Sequence, residues 1–459
     1  MVQLGVTQLK AMGVPEGPLV EEAMEVAEGL RQRGWEPWEV RDIMAEVAAD
    51  PAGDWEGLDR ELGWFARSLE TARRAEAGEP VSPWRQWGDD IDDEAIRQME
   101  RATSLPVAVQ GALMPDAHRG YGLPIGGVLA TDDAVIPYAV GMDIACRMKM
   151  SVYRVGPEAL DKDRTLLERA LEYETRFGVG ADFDKPRDHP VMEEDWGITE
   201  VTRKLYDRAR RQLGSSGSGN HFAEFGVLEL SEGQWGLAPG RYVALLTHSG
   251  SRGPGAEVAK HYASLARRLR PELGKPLNAL AWLELSSDEG QQYWRAMELM
   301  GRYAQANHEV IHEALARLIG WEVVAGVENH HNFAWREEYG GRTLVVHRKG
   351  ATPAQRGQWG IIPGSMTAPA YVVRGKGKAA SLRSAAHGAG RQMSRRQAKK
   401  KIAWPQVERR LEARGVRLLS AGLDEAPMVY KDIDRVMAEQ RDLVESVAAF
   451  HPRIVKMAP

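Results

Sequence analysis

The chain has 459 residues, 43% of them hydrophobic, a formal net charge of −5 and a single cysteine. That length suffices for a large core and for two or three domains of about 150 residues each, and one cysteine excludes an internal disulfide. The start Met1-Val-Gln-Leu-Gly-Val-Thr lacks a charged n-region followed by an apolar run, and no segment offers the roughly 18 apolar residues of a membrane span, so the expectation is a cytoplasmic protein with no membrane partner.

Residues 1–83 read as a helical extension of unknown role. Leu19–Arg33 predicts one helix, and Trp55, Leu58, Leu62, Phe65 and Leu69 mark the apolar face of another. Ala77-Gly-Glu-Pro-Val-Ser-Pro83 holds two prolines and a glycine, which break helix and set a boundary before Trp84. After an acidic helix start at Asp92-Asp93, short alternating stretches predict strands at Val107–Val109, Met148–Tyr153, Phe222–Leu230, Tyr242–Thr247 and Thr343–His347. Helices are expected at Asp161–Tyr173, Thr199–Gln212, Gly255–Arg270, about Asp288–Ile319 and near Lys431–Phe450. Strands and helices mix without a regular βαβ rhythm, so residues 84–459 read as one α+β unit.

The loops between these elements carry the unusual residues. In Val140-Gly-Met-Asp-Ile-Ala-Cys146, Asp143 and Cys146 stand three apart, so one short loop can aim a carboxylate and a thiolate at the same space. Imidazoles would complete a mixed shell of the kind divalent transition metals prefer, although a lone cysteine is also at home as a small buried hydrophobe. Histidines beside small-residue turns follow in Pro115-Asp-Ala-His118, Gly217-Ser-Gly-Asn-His221, His248-Ser-Gly-Ser-Arg-Gly253 and Asn329-His-His-Asn332. His387-Gly-Ala-Gly-Arg391 reads as a phosphate-handling loop, in which an imidazole can attack phosphorus while glycines give clearance and an arginine stands close by. From Tyr371 to Lys401 there are ten cations and no acidic residue, a local bias suited to phosphates or simply to a solvated face.

Taken together, these segments resemble the RtcB-type RNA-splicing ligase family from Asp90 to the C-terminus. Pro115-Asp-Ala-His, Gly141-x-Asp-x-x-Cys146, Gly219-Asn-His-Phe-x-Glu224, His248-Ser-Gly-Ser-Arg252, His331-Asn332, His347-Arg-Lys-Gly-Ala-Thr352, Pro363-Gly-Ser-Met366, His387-Gly-Ala-Gly-Arg391 and Tyr430-Lys-Asp432 occur in the family's order. The resemblance implies mixed sheets and helices around a central metal and nucleotide cleft. It implies a ligase that joins RNA 2′,3′-cyclic phosphate or 3′-phosphate ends to 5′-hydroxyl ends, in tRNA splicing or RNA repair, with GTP and two Mn²⁺ ions, and it makes an activating protein a candidate partner. His387 would be the guanylylated nucleophile. One metal would be held by Asp143, Cys146 and His221, the other by Cys146, His248 and His331. Asn220, Phe222, Glu224, Ser365, Tyr430 and Lys456 would bind the nucleotide, Glu224 and Lys456 reading the guanine edge and Phe222 and Tyr430 packing on its faces. Arg252 and Arg391 would clamp phosphates.

Two departures from the family pattern stand out. Pro363-Gly-Ser-Met-Thr-Ala-Pro-Ala-Tyr371 lacks the Gly-Thr-Ala-Ser usual after the methionine, and Ala145 and Arg147 flank Cys146 where glycines are usual. A metal-dependent phosphoesterase that opens cyclic phosphates without sealing is the alternative, and a non-catalytic RNA-binding relative is a third reading that the retained histidines argue against.

Overall fold

A computed structural model of the protein describes residues 4–76 and 81–459; of the linker expected at residues 77–83, positions 77–80 lie outside that description. Four helices, Val6–Ala11, Pro18–Gln32, Pro37–Ala49 and Arg60–Glu76, open the chain. Proline at the first position starts two of them, where its missing N–H costs nothing. Leu19, Val20, Ala23, Val26, Ala27 and Leu30 lie on one helical face and pack with Val40, Ile43, Met44, Val47, Leu62, Phe65 and Leu69 in an apolar cluster drawn only from this segment. The helix expected from Trp55 begins instead at Arg60, because Asp59 Oδ1 accepts the backbone N–H of Glu61 and Leu62 and so caps it there.

Beyond residue 81 the architecture is α+β, as expected. A five-stranded sheet runs in the order Trp84–Gln86, Ala108–Tyr121, Leu123–Thr131, Arg342–Lys349, Asn332–Tyr339. A larger sheet runs Trp359–Ser365, Ala368–Gly375, Val444–Met457, Phe222–Leu230, Gly240–Ser249, Arg147–Tyr153, Val323–His330, with Arg417–Ser420 alongside Val444–Met457. The 32-residue helix Asp288–Ile319 buries Tyr293, Met297, Met300, Tyr303 and Ala304 against the core. Its start is capped by Ser287 and its end by Gly320 in the left-handed region.

Three further expectations are corrected. The helix expected over Lys431–Phe450 stops at Glu439, and Val444–Met457 is a strand hydrogen-bonded on both sides, to Ala368–Gly375 and Phe222–Leu230. Its valines and isoleucine suit a central strand, and pairing with two neighbours outweighs any helical pattern. The expected strand Val107–Val109 is the first part of a 14-residue strand that runs on, with register shifts, through Asp116 and His118. The helix expected at Asp161–Tyr173 is broken at Asp163.

Candidate metal and nucleotide site

Strand register assembles the donors. In four adjacent strands Phe222 pairs with His248, His248 with Met148, and Arg147 with His330. His221, His248, Cys146 and His331 therefore stand within one residue of a common row at the sheet's end. The loop before Cys146 adds Asp143, folded back so that Cys146 N–H donates to the Asp143 carbonyl at 3.1 Å. Ala145 takes φ +55°, the left-handed conformation the usual glycine would supply, and its N–H is held by Asn332 O at 2.7 Å. Gly250 clears the loop, since a Cβ there would lie 2.3 Å from Asp143 Oδ1.

The donor atoms form a chain with the sulfur at its centre. Asp143 Oδ2 is 2.9 Å from His221 Nε2; Cys146 Sγ is 3.2 Å from His221 Nε2 and 3.1 Å from His248 Nε2; and His248 Nε2 is 3.1 Å from His331 Nε2. Cys146 and the three imidazoles are buried. His248 Nδ1–H donates to Asn220 O at 3.0 Å, and the Ser216 carbonyl, which can only accept, lies 3.1 Å from His221 Nδ1. These outer bonds leave the Nε2 lone pairs for a cation. Arg252 also reaches His221 Nδ1, at 3.2 Å, from behind the ring.

Burial pushes His248 down to about 3 and His331 well below the usual imidazole range, so both are neutral donors at neutral pH. Burial would raise Asp143, but the hydrogen bond and charge of His221, with Arg252, hold it at about 2. Burial and the Asp143 charge push the Cys146 thiol well above its ordinary value, so a thiolate here requires a cation. A half-buried carboxylate, a thiol and three imidazoles fit transition-metal ions of borderline softness. Asp143, Cys146 and His221 could hold one, and Cys146, His248 and His331 a second sharing the sulfur.

His387 follows the short strand Ser384–Ala386, its ring centroid 5.0 Å from that of His331. Asp116, fully buried, places Oδ2 2.6 Å from His387 Nδ1 and also accepts the His387 backbone N–H at 3.2 Å. The proton is thereby held on Nδ1, and Nε2 keeps its lone pair. The turn needs glycine at 390, where a Cβ would lie 2.1 Å from the Asp116 carbonyl oxygen.

A cavity of about 1280 Å³ joins His387 and the donor row to residues from both sheets. Of the expected nucleotide residues, Asn220, Phe222, Glu224, Ser365 and Tyr430 line it. Glu224 is 4% exposed, burial pushes its carboxyl well above the usual range, and no donor among the described residues reaches it. The altered segment after Pro363 forms a tight hairpin, Ser365 pairing with Ala368, so that Met366, Ala368 and Ala370 line the wall.

Three expectations need correction or refinement. Lys456 is outside the cavity: Met457 and Val455 pair with Phe222 and Glu224, alternation turns Lys456 to the other face, and its ammonium donates to Leu171 O at 3.0 Å. Arg252 does not line the cavity, because its guanidinium is folded against Ser215 Oγ and His221. Arg391 lines it, with its guanidinium already engaged by Glu425 at 3.3 Å and Asp424 O at 2.8 Å.

Two further residues of these motifs take roles that their spacing does not announce. Asp116 orients His387, a contact spanning 271 positions that no local spacing announces. Lys349 lines the cavity, where burial pushes its ammonium down to about 7. Its neighbours in the motif are structural: His347 bonds Ile136 N and Leu129 O, and Arg348 is fully buried on Glu337 at 2.6 Å.

The family model described as tRNA-splicing ligase RtcB matches residues 98–196 and 185–457. The RNA-splicing ligase RtcB of Escherichia coli (strain K12) is 33% identical over 401 residues, covering 80% of this chain and 95% of that protein. The tRNA-splicing ligase RtcB of Aeropyrum pernix is 32% identical, covering 75% and 89%, and the RNA-splicing ligase RtcB of Mycobacterium tuberculosis is 31% identical, covering 77% and 98%.

Proposed function

The chain belongs to the RtcB family of tRNA-splicing ligases, and from that premise we propose that it is a GTP- and Mn²⁺-dependent RNA ligase. It joins an RNA 3′-phosphate, or a 2′,3′-cyclic phosphate once opened by water, to a 5′-hydroxyl through a guanylylated His387. The observation that carries this reading is the pairing of an oriented imidazole with an adjacent sulfur-centred donor row. Asp116 holds the His387 proton on Nδ1, so Nε2 can form the bond to the α-phosphorus of GTP as the bond to the departing pyrophosphate breaks. The RNA 3′-phosphate then displaces His387, and the 5′-hydroxyl displaces GMP to leave a phosphodiester.

Two Mn²⁺ ions held by the donor row would supply charge neutralisation on the reacting phosphates. Glu224 receives the guanine N1–H and N2–H donors, which fits a buried carboxyl that no donor among the described residues reaches. Phe222 and Tyr430 supply its flanking rings, Asn220 and Ser365 meet the nucleotide, and Arg391 favours phosphate in the cavity through its charge. Lys456 and Arg252 stay outside this set.

The test is an RNA pair bearing 2′,3′-cyclic phosphate and 5′-hydroxyl ends, incubated with the protein, Mn²⁺ and GTP. Sealed product that is lost in His387→Ala is expected; opened 3′-phosphate with no sealing by the wild type would indicate a phosphoesterase instead.

A further inference from the structure

The proposed chemistry accounts for the cavity lining contributed by the large sheet and leaves part of the five-stranded sheet's contribution without a task. There the strand Ala108–Tyr121 turns through Gly122 into Leu123–Thr131, and the tip Arg119-Gly-Tyr121 lines the cavity. The backbone of this tip is held at Gly120 and Tyr121 and at the Gly122 turn that follows. The Gln98 side-chain amide donates to Gly120 O at 2.8 Å and accepts from Gly120 N at 2.9 Å. The Lys349 ammonium donates to Tyr121 O. Gly122, at φ +70°, packs so tightly that a Cβ would lie 2.9 Å from Ala279 O.

On this braced backbone the Tyr121 side chain is left in water, the residue being 79% exposed. A large ring held at a cavity mouth by an ordered backbone loses only two torsions on contact and offers a flat apolar face. Cations outnumber carboxylates in the lining of the cavity it borders: Arg119 adjoins it, and Arg396 and Lys400, from the acid-free segment, line the same cavity, as do Asp90 and Asp92. Flat aromatic faces beside backbone-tracking cations are how unpaired nucleic acid strands are held.

We infer that Tyr121 is a stacking platform for the nucleobase at an RNA end entering the cavity. This rests on the RNA ligase reading and adds a determinant of RNA affinity to it. The base could belong to the strand ending in phosphate or to the strand beginning with a 5′-hydroxyl, which share this chemistry.

The experiment measures binding of two RNA oligonucleotides to the full-length protein, one with a 3′-phosphate and one with a 5′-hydroxyl, each carrying 2-aminopurine as its terminal base. Tyr121→Ala is expected to weaken one of them about 5- to 100-fold, the range set by base–aromatic stacking, and to relieve the quenching of its terminal 2-aminopurine. Tyr121→Phe and Tyr121→Trp should retain both affinity and quenching, and the oligonucleotide affected identifies the strand. A thermal melt of Tyr121→Ala that matches the wild type shows that the variant is folded. Equal binding of both oligonucleotides by wild type and Tyr121→Ala overturns the inference, as does a Tyr121→Phe variant as weak as alanine, or a wild type that binds neither. A wild type that binds RNA through Tyr121 and yet never labels with GTP would refute the nucleotide chemistry while leaving the platform standing.

Discussion

A histidine is a nucleophile only while one ring nitrogen keeps its lone pair and the other holds the proton. Asp116 Oδ2, 2.6 Å from His387 Nδ1, fixes that division, and its burial keeps water from competing for the bond. Asp116→Asn retains the shape and removes the charge, and its amide group can turn to favour the wrong tautomer. Transfer of GMP to His387 is expected to slow by roughly 10²- to 10⁴-fold, as when the carboxylate behind a catalytic imidazole is lost, with Mn²⁺ affinity unchanged. A wild-type rate in this variant would remove Asp116 from the chemistry. That Asp143, Cys146, His221, His248 and His331 stand together was legible in the sequence because each lies beside a small-residue turn or in a matching family motif. Asp116 had the motif but no visible partner, and Lys456 was assigned to the nucleotide although a single step of strand alternation turns it away.

At the level of elements, the N-terminal helices contact the segment that leads to His387. Glu21 pairs with Arg383, Glu25 accepts the Ala379 N–H at 2.8 Å, Glu61 pairs with Lys378 at 3.3 Å, and Arg85 lies 3.6 Å over the Trp64 ring. Leu382 and Arg383 take φ +53° and +49°, a costly pair for side-chain-bearing residues, and Arg348 anchors this turn through Leu382 O and Ser384 Oγ. Within the contact, Glu22 is 3% exposed, and burial raises its carboxyl from 4.5 to about 7 despite Arg85 and Lys378.

Between those two values the folded protein holds a proton that the unfolded chain lacks. The stabilisation is therefore complete below the unfolded value and is lost as pH rises through the folded one. Glu22→Gln should stabilise the protein above about pH 8, by something on the order of 2 kcal/mol, with the gain disappearing toward acid. Denaturant melts at several pH values check this; a pH-independent difference would contradict it. The N-terminal helices were legible from their apolar spacing. The strand Val444–Met457 was not, because only pairing with its neighbours Phe222–Leu230, Ala368–Gly375 and Arg417–Ser420 selects extended over helical backbone there.

Across the whole molecule, the donor row ties the ends of four adjacent strands to the Asp143 loop, so metal binding and fold stability are linked. At a hundredfold excess over its dissociation constant, Mn²⁺ should stabilise the folded state by about 2.7 kcal/mol per site, seen as a higher Tm that a chelator reverses. Cys146→Ala should abolish most of that shift and GMP transfer together, since in the proposed function the sulfur belongs to both ligand sets; full Mn²⁺ occupancy in this variant would contradict a bridging thiolate. The match to the family model begins at residue 98, so the first four helices lie outside it. The overall α+β class followed from the mixed pattern of short strands and helices, whereas the joining of two sheets around one cavity depends on pairings that no stretch of sequence displays.

Incubation of the full-length protein with Mn²⁺ and GTP labelled at the α-phosphate, followed by denaturing separation and peptide mapping, tests the central chemistry most directly. Acid-labile, alkali-stable label on the peptide containing His387 is the expected result. Metal-loaded protein that acquires no label would contradict nucleotidyl transfer at His387.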